Sequence, residues 1–305
     1  MHHDHHLAHD RVRLPQLRER ITSAERAAEW IQDGMTVGTS GFTRAGDAKA
    51  VPLALAERAR RDPLSITLIT GASLGSDIDA TLAESGVLAR RMPFQADPKL
   101  RRAINAGEVM FIAQPLSETV ELLRTRQIAP VDVAIVEAIA ITEDGAIVPT
   151  TSVGNSASFA ILADKVIVEI NLSQSPALEG LHDIFIPKQR PAREPMPLMT
   201  VSDRIGTSTI NIPPEKIVAI VLTEKNDSAS TILPPDAETA AIAGHLIEFF
   251  NSEIAAGRLT ERLMPIQAGI GTIANAVVSG LIDGPFSGLT MYSEVLQDST
   301  FDLFD

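Results

Sequence analysis

The chain has 305 residues, of which 45% are hydrophobic and 21% charged, and these proportions exclude disorder over most of its length. It contains no cysteine, which excludes disulfides, thiolate catalysis and cysteine-ligated metal centres. The formal net charge of -13 argues against a nucleic-acid partner, and no stretch approaches the roughly 18 uninterrupted apolar residues of a membrane span.

Five of the seven histidines lie in the first ten residues. They could form a metal-binding tail, or a disordered leader that binds metal only opportunistically. The second alternative is preferred because nothing rigid holds these imidazoles, so residues 1–12 are predicted to be a disordered tail and no dedicated metal site is expected. The tail lacks the apolar segment of a secretory signal, which predicts a cytoplasmic protein.

Helix-like and strand-like segments alternate from Thr22 onward. Residues 22–25 are typical of a capping box and predict a helix that runs to Asp33 and ends at Gly34. A further helix is predicted over 51–60, and strands over 35–39, 65–70, 109–112, 131–137, 165–171 and 216–223. Strands separated by helices predict an α/β fold with a mostly parallel sheet.

The second part of the chain begins after an irregular stretch, 173–214, that contains seven prolines. A polar linker over 224–235 predicts a boundary between one domain, 13–225, and another, 226–305. Asp236 is expected to cap a helix whose apolar face includes Ile242, Leu246, Phe249, Phe250 and Ile254. A strand over 264–270, a helix over 271–281 and a strand over 289–293 then predict the start of a second α/β domain.

Three glycine turns follow predicted strands: Gly38–Phe42, Gly71–Gly75 and Gly269–Gly271. Ligands of open α/β sheets bind beyond the strand ends, where glycine lets backbone N–H groups approach an anion. Each turn could equally serve packing alone. The third also fits part of a dinucleotide fingerprint, for which Glu294 is the only acid placed to hold a ribose, so a nucleotide-dependent oxidoreductase is one alternative.

The most informative segment is Met291-Tyr292-Ser293-Glu294-Val295-Leu296-Gln297-Asp298, which follows Gln267-Ala268-Gly269-Ile270-Gly271-Thr272-Ile273-Ala274-Asn275-Ala276. Together these segments resemble the acetyl-CoA hydrolase/transferase family, which includes the succinyl-CoA:acetate CoA-transferases. Other stretches resemble the same family, at 37–42, 68–73, 141–145, 152–156 and 179–184. The similarity runs in order from about Ile21 to Asp305.

The resemblance implies a mostly parallel sheet domain of the CoA-transferase type, plus the start of a second, related α/β domain. It also implies that Glu294 is a nucleophile. Glu294 would attack the thioester of an acyl-CoA, and the released thiolate would convert the resulting anhydride into a glutamyl-CoA thioester that an acceptor carboxylate consumes. The turn of Gly269, Ile270 and Gly271 is expected to supply an oxyanion donor, the N–H of Ile270.

The same resemblance assigns Gly41, Phe42 and Ser73 to the substrate cleft, although Phe42 could equally be a core residue. Asn275 could hold the oxyanion turn or be a plain amide on a helix face. His182 is interpreted as a structural hydrogen-bonding residue because the reaction needs no general base.

The reactants implied are an acyl-CoA and a small carboxylate, with no tightly bound cofactor. Some succinate-using members place an arginine after the strand over 216–223; residues 224–230 contain none, which favours acetate or propionate as the acceptor. An acyl-CoA hydrolase with the same nucleophile is the main alternative. The family's chains continue past the Glu294 motif, so an inactive fragment, or a subunit completed by a homodimer or a partner chain, is the other.

Overall fold

The computed structural model describes residues 10–42, 44–75, 77–228 and 233–304. The chain divides into two compact units. The first comprises residues 1–196 and 204–229, and the second comprises residues 197–203 and 230–305. Of the histidine-rich tail predicted over residues 1–12, residues 1–9 lie outside the described residues.

The first unit is built on a mostly parallel β-sheet. In chain order they are β1 (Ile21–Thr22), β2 (Thr36–Thr39), β3 (Ile66–Ile69), β4 (Leu88–Met92), β5 (Met110–Phe111), β6 (Val133–Ile141), β7 (Ile147–Pro149), β8 (Lys165–Asn171) and β9 (Ile217–Thr223). Their spatial order is β1-β9-β8-β6-β2-β3-β4-β5, with parallel pairing throughout, and β7 pairs antiparallel with β6. The predicted fold class is therefore confirmed.

Helices connect these strands and cover the sheet. They are α1 (Ala24–Ala28), α2 (Ala50–Arg61), α3 (Ile78–Glu84), α4 (Pro98–Asn105), α5 (Leu116–Arg124) and α6 (Ser156–Leu162), with short 3-10 helices at Pro15–Arg20, Pro176–Leu178 and Pro214–Lys216. The long proline-containing segment after β8 has no strand longer than an isolated bridge in the described residues, in line with the predicted irregular excursion.

Strand β6 lies at the centre of the core, and all nine of its residues are buried. Successive residues point to opposite faces of a strand. Val133 and Ile135 accordingly join one apolar cluster with α2, while Ala134 and Val136 join another with Phe159 of α6. This arrangement explains why the sequence of β6 shows no polar alternation over most of its length.

Two expectations for the N-terminal part are wrong. Residues 10–12 are ordered: Val12 is fully buried and forms a parallel bridge with Ile141, and the Arg11 guanidinium donates to the Ile139 carbonyl oxygen at 3.1 Å. Helix α1 ends at Ala28 rather than Asp33, and its cap is Ser23, whose hydroxyl accepts from the Arg26 N–H at 3.3 Å.

The second unit contains α7 (Ala237–Ala255), α8 (Thr272–Ile282) and a 3-10 helix at Asp298–Leu303. The Asp236 cap is confirmed, since its carboxylate accepts from the Thr239 N–H at 2.8 Å. The strands predicted over 264–270 and 289–293 reduce to one parallel bridge, between Ile266 and Met291. Because the ladder is only one pair long, the predicted βαβ unit keeps its helix but lacks regular strands.

The predicted apolar face of α7 is only partly covered. Ile242 and Phe249 are exposed, whereas Thr239 and Ala243 are the residues that α7 buries. Helix α7 contacts α8 at Gly280, where an added Cβ would lie 2.9 Å from Ile247 and 3.5 Å from Ala243. The two helices therefore approach closely on the side of α7 that carries Ala243 and Ile247. None of the helices in the described ranges is long and apolar enough to cross a membrane.

Candidate active site

The connectivity of the first unit creates a switch point between β2 and β6. The chain proceeds from β2 outward through β3, β4 and β5, and then returns to β6 on the other side of β2. Ligand crevices of open α/β sheets lie beyond the carboxyl ends of the strands at such a point. The loops that follow β2 and β3 carry three residues predicted to line the cleft: Gly41, Phe42 and Ser73.

These two loops pack against each other more closely than side chains would permit. A Cβ at Gly71, in the loop after β3, would lie 2.3 Å from the Ser40 hydroxyl oxygen and 3.5 Å from the Gly41 carbonyl oxygen. Within the loop after β2, a Cβ at Gly41 would lie 2.6 Å from Cβ of Asp47. Phe42 and Ala45 exchange backbone hydrogen bonds of 3.0 Å, and the Arg44 N–H donates to the Ser73 carbonyl oxygen at 3.3 Å. The predicted cleft residues Gly41, Phe42 and Ser73 thus lie on two loops that contact each other, and Phe42 and Ser73 are only partly buried.

A cluster of buried charged groups supports the loop after β2, and we call it the Lys49 cluster: Lys49, Asp47, Glu137, Glu169 and Asp227. The Lys49 ammonium lies 2.6 Å from a Glu137 carboxylate oxygen and 2.8 Å from an Asp227 carboxylate oxygen. Glu169 accepts from the backbone N–H groups of residues 49–51 at 2.6–2.9 Å, and so caps α2. The cluster thus contains four carboxyl groups and one ammonium group, and the carboxylates of Glu137 and Asp227 contact the ammonium directly.

Burial has the largest effect on the pKa of three carboxyl groups in the Lys49 cluster. Burial raises the pKa of Glu137 to about 7, against the attraction of Lys49. Burial also raises the pKa of Asp47 and of Glu169, although Glu169 accepts three backbone hydrogen bonds. One Asp47 carboxylate oxygen accepts from the Gly75 N–H at 3.1 Å, while the other is buried with no hydrogen-bond partner in the described residues.

The remaining predicted site residues belong to the second unit. The turn formed by Gly269, Ile270 and Gly271 leads directly into α8, and Gly271 has a φ of 122°, which only glycine adopts readily. Ile270 is 48% exposed, and within the described ranges its N–H has no hydrogen-bond acceptor. A Cβ built at Gly269 meets no atom within 4 Å, so the space beside this turn is open.

The segment that carries Glu294 holds this turn through two side chains. The Ser293 hydroxyl donates to the Ala268 carbonyl oxygen at 3.0 Å and accepts from the Ala268 N–H at 3.3 Å. The Gln297 side-chain amide donates to the Gly269 carbonyl oxygen at 3.0 Å and accepts from the Gly271 N–H at 3.3 Å. Glu294 is exposed between these two anchors.

Asn275 and His182 bond backbone carbonyl groups outside the Gly269–Gly271 turn. The Asn275 amide donates to the Leu233 carbonyl oxygen at 3.4 Å, which links α8 to the segment before α7 rather than to the glycine turn. The His182 ring lies 2.8 Å from the Thr150 carbonyl oxygen, a contact that agrees with its structural interpretation.

Sequence reasoning assigned no role to Gln297 or Ser293, although both lie in the segment that resembles the family, and it missed the Lys49 cluster. Gln297 and Ser293 are ordinary polar residues in a loop, and no spacing rule distinguishes them. Glu137 does carry a signal, because an acid inside a long apolar strand segment is costly unless it is paired. That signal becomes specific only when the fold brings Lys49 beside it.

Comparison with known proteins gives a consistent result. The family model that describes the acetyl-CoA hydrolase/transferase N-terminal domain matches residues 6–222 of this sequence. The chain is 42% identical over 295 residues to a succinyl-CoA:acetate CoA-transferase of Clostridium kluyveri, covering 96% of this chain and 55% of the relative. It is 41% identical over 310 residues to an acetyl-CoA hydrolase of Saccharomyces cerevisiae, covering 98% of this chain and 59% of the relative. The chain thus spans little more than half the length of these relatives.

Solved structures share the fold at low sequence identity. RipA from Yersinia pestis superposes with a TM-score of 0.64 at 20% identity, covering 93% of this chain and 58% of that chain. A 4-hydroxybutyrate CoA-transferase from Porphyromonas gingivalis superposes with a TM-score of 0.56 at 18% identity, covering 94% of this chain and 57% of that chain.

Proposed function

The chain belongs to the acetyl-CoA hydrolase/transferase family, and on that premise we propose that it transfers coenzyme A from an acyl-CoA to a small carboxylate through Glu294. The observation that carries the proposal is the pair of anchors, Ser293 and Gln297, that hold the Gly269–Gly271 turn from either side of Glu294. An exposed carboxylate and an unpaired backbone N–H are thereby kept on neighbouring segments, as a nucleophile and an oxyanion donor require.

The proposed reaction keeps the energy of the thioester. The Glu294 carboxylate attacks the thioester carbonyl carbon, the C–S bond breaks, and coenzyme A leaves as a thiolate. The thiolate attacks the glutamyl carbonyl of the resulting anhydride, releasing the first carboxylate and leaving a glutamyl-CoA thioester. The acceptor carboxylate repeats both steps in reverse and regenerates Glu294. Each tetrahedral intermediate carries an oxyanion that accepts a hydrogen bond from the Ile270 N–H.

The reactants follow from this scheme. Coenzyme A enters as a substrate thioester, and the reaction needs no tightly bound cofactor. We assign Gly41, Phe42 and Ser73 to the cleft that receives substrate, which their place at the switch point of the sheet supports. Residues 224–228 contain no arginine that could form a bidentate pair with a second carboxylate, so acetate or propionate is the proposed acceptor.

Hydrolysis through the same glutamyl-CoA thioester is the second candidate, and similarity to acetyl-CoA hydrolases favours it. In that reaction water attacks the glutamyl carbonyl and releases coenzyme A. The two candidates differ in the exclusion of water from the intermediate.

The test has two stages. The purified protein is first incubated with acetyl-CoA, and a covalent coenzyme A adduct is sought on Glu294 by mass spectrometry. Glu294→Ala should abolish the adduct. Glu261→Ala, which removes another exposed glutamate of the second unit, should leave it unchanged. Absence of an adduct on the unmodified protein, both purified alone and purified after co-expression with its genomic neighbours, would reject the proposal.

The second stage measures release of free coenzyme A with and without acetate. A transferase exchanges coenzyme A with labelled acetate and releases little of it, whereas acceptor-independent release identifies a hydrolase.

The proposed active form contains a second copy of this chain or a partner chain. Several large apolar side chains of the second unit are exposed, among them Phe249, Met264 and Phe304. Exposed apolar groups of this size are typical of contact surfaces. Light scattering on the purified protein, alone and after co-expression with its genomic neighbours, measures the assembly; a monomer under both conditions would contradict this part of the proposal.

A further inference from the structure

Gln297 connects the proposed nucleophile segment to the peptide that carries the proposed oxyanion donor. Its side chain is 4% exposed, and its amide bonds the Gly269 carbonyl oxygen and the Gly271 N–H. The orientation of the amide is unambiguous, because a carbonyl oxygen can only accept and a backbone N–H can only donate. These two bonds therefore span Ile270 from both sides.

Peptide geometry converts the first of these bonds into control of the Ile270 N–H. The Gly269 carbonyl and the Ile270 N–H belong to the same planar peptide unit, and in a trans peptide they point in opposite directions. When Gln297 holds the carbonyl on one side, the N–H is directed to the other side. The second bond fixes the next peptide unit through the Gly271 N–H. Both planes that flank Ile270 are then set by one buried side chain.

We propose that Gln297 is a positioning residue that aims the Ile270 N–H at the oxyanion of the reaction. The inference rests on the proposed function and adds a residue to that site. Flanking glycines leave a turn free to rotate its peptide planes, so a turn of Gly269, Ile270 and Gly271 needs an external support to present one N–H in a fixed direction. Ser293 holds the peptide units on either side of Ala268, and Gln297 holds those of the turn itself.

The chemical demand on this position is narrow. The side chain must donate to one backbone group and accept from another, and a primary amide does both without charge. A carboxylate at this place would face the Gly269 carbonyl oxygen with a second acceptor. Methionine has nearly the same length and flexibility but makes neither bond, so it removes the positioning while filling the space.

The experiment measures the rate of adduct formation on Glu294 in single-turnover reactions with acetyl-CoA. Gln297→Met should lower this rate about 10²-fold, the typical cost of a displaced catalytic group. The acetyl-CoA concentration at half-saturation should stay unchanged, because the oxyanion donor acts in the transition state. Gln127→Met is the matched control: it makes the same substitution at an exposed glutamine of the first unit that belongs to neither the glycine turn nor the Glu294 segment, so the rate should not change.

Gln297→Glu provides a readout that a merely structural residue would not give. Its ionised carboxylate cannot donate to the Gly269 carbonyl oxygen, but the protonated form can. The rate of this variant relative to the unmodified protein should therefore rise as the pH falls from 8 to 5. Because this comparison uses one variant across pH, it remains decisive if Gln297→Met fails to fold.

The outcomes separate the two proposals. If the unmodified protein and Gln297→Met form the adduct at the same rate, the positioning role is overturned and the proposed function stands. The same conclusion follows if the rate of Gln297→Glu, relative to that of the unmodified protein, does not change with pH. Failure of the unmodified protein to form any adduct would reject the proposed function together with this inference.

Discussion

The buried carboxyl group of Glu137 predicts how the stability of the first unit depends on pH. Glu137 is 1% exposed, and one of its carboxylate oxygens accepts from Lys49 at 2.6 Å and from the Asn171 amide at 3.0 Å. The other oxygen accepts from the Thr150 hydroxyl at 2.7 Å. Burial raises its pKa from 4.5 to about 7. The folded protein therefore binds this proton more tightly than the unfolded chain does.

The sign and size of the effect follow from this difference. A raised pKa contributes stability that is fully present below the unfolded value and is lost as the pH rises through the folded value. Each factor of ten in proton affinity is worth 1.36 kcal/mol, so Glu137 contributes about 3 kcal/mol that disappears between about pH 4.5 and 7. Asp47 and Glu169 act in the same direction, because burial raises the pKa of both.

Glu137→Gln isolates this contribution. The glutamine amide mimics the protonated acid, since its oxygen can accept from Lys49 and its NH2 group can donate to the Thr150 hydroxyl. We expect the free energy of unfolding of the variant, minus that of the unmodified protein, to increase by about 3 kcal/mol between pH 4.5 and 7.5. Urea titrations followed by the fluorescence of Trp30, the single tryptophan, measure this difference.

The control is Gln127→Met, which changes an exposed residue of the first unit without altering a titratable group and should give a difference that is nearly constant with pH. If the difference for Glu137→Gln is also constant between pH 4.5 and 7.5, then Glu137 is ionised throughout and the reasoning from burial is refuted.

Three further predictions use measurements of stability and of adduct formation. The Asp79 carboxylate accepts from the buried Arg91 guanidinium at 2.9 and 3.0 Å, so Asp79→Ala should lower the free energy of unfolding, measured by urea titration, by about 3–5 kcal/mol. Glu57→Ala, which removes the exposed partner of Arg60, should lower it by less than about 1 kcal/mol. Equal losses would contradict the argument from burial. Gly269→Ala should leave the thermal unfolding of the second unit unchanged, because the added Cβ meets no protein atom within 4 Å, yet it should slow adduct formation by entering the open space beside Ile270. Gly271→Ala should instead destabilise the protein by roughly 1–3 kcal/mol, since its φ is 122°, and a stable Gly271→Ala variant would show that the turn adopts another conformation.

The strands that could be predicted from the sequence are those that consist of a nearly uninterrupted run of apolar residues. Lys165–Asn171 was predicted with the bounds that the structure gives, and the segment over 131–137 lies within the longer β6 except at its first two residues. Strand β4 was missed because Arg90 and Arg91 interrupt its apolar pattern. The Arg91 guanidinium is fully buried by pairing with Asp79 and by donating to the Thr70 hydroxyl at 2.8 Å. A pairing between residues far apart in the chain has no local signal.

The same limit applies to the candidate site. Resemblance to a family directed attention to Glu294 and to the glycine turn, because both lie in ordered motifs. The supports of the site are scattered: Gln297 is 28 residues from Gly269, and Lys49 is 88 residues from Glu137. Their hydrogen bonds exist only after the chain has folded, so no pattern of spacing could have identified them.

The Lys49 cluster and Gln297 differ in charge: the cluster consists of ionisable side chains, whereas Gln297 is neutral. The difference follows from the position of each. The Lys49, Asp47, Glu137 and Glu169 side chains of the Lys49 cluster are buried, and burial favours the protonated form of Glu137 while Glu169 holds the backbone at the start of α2. Gln297 holds the Gly269–Gly271 turn, whose Ile270 N–H is proposed to donate to the developing oxyanion. A second carboxylate there would oppose that negative charge, and a lysine could not accept from the Gly271 N–H. Asparagine is shorter by one methylene group, so glutamine is the side chain that can reach both peptide groups while adding no charge beside the proposed nucleophile.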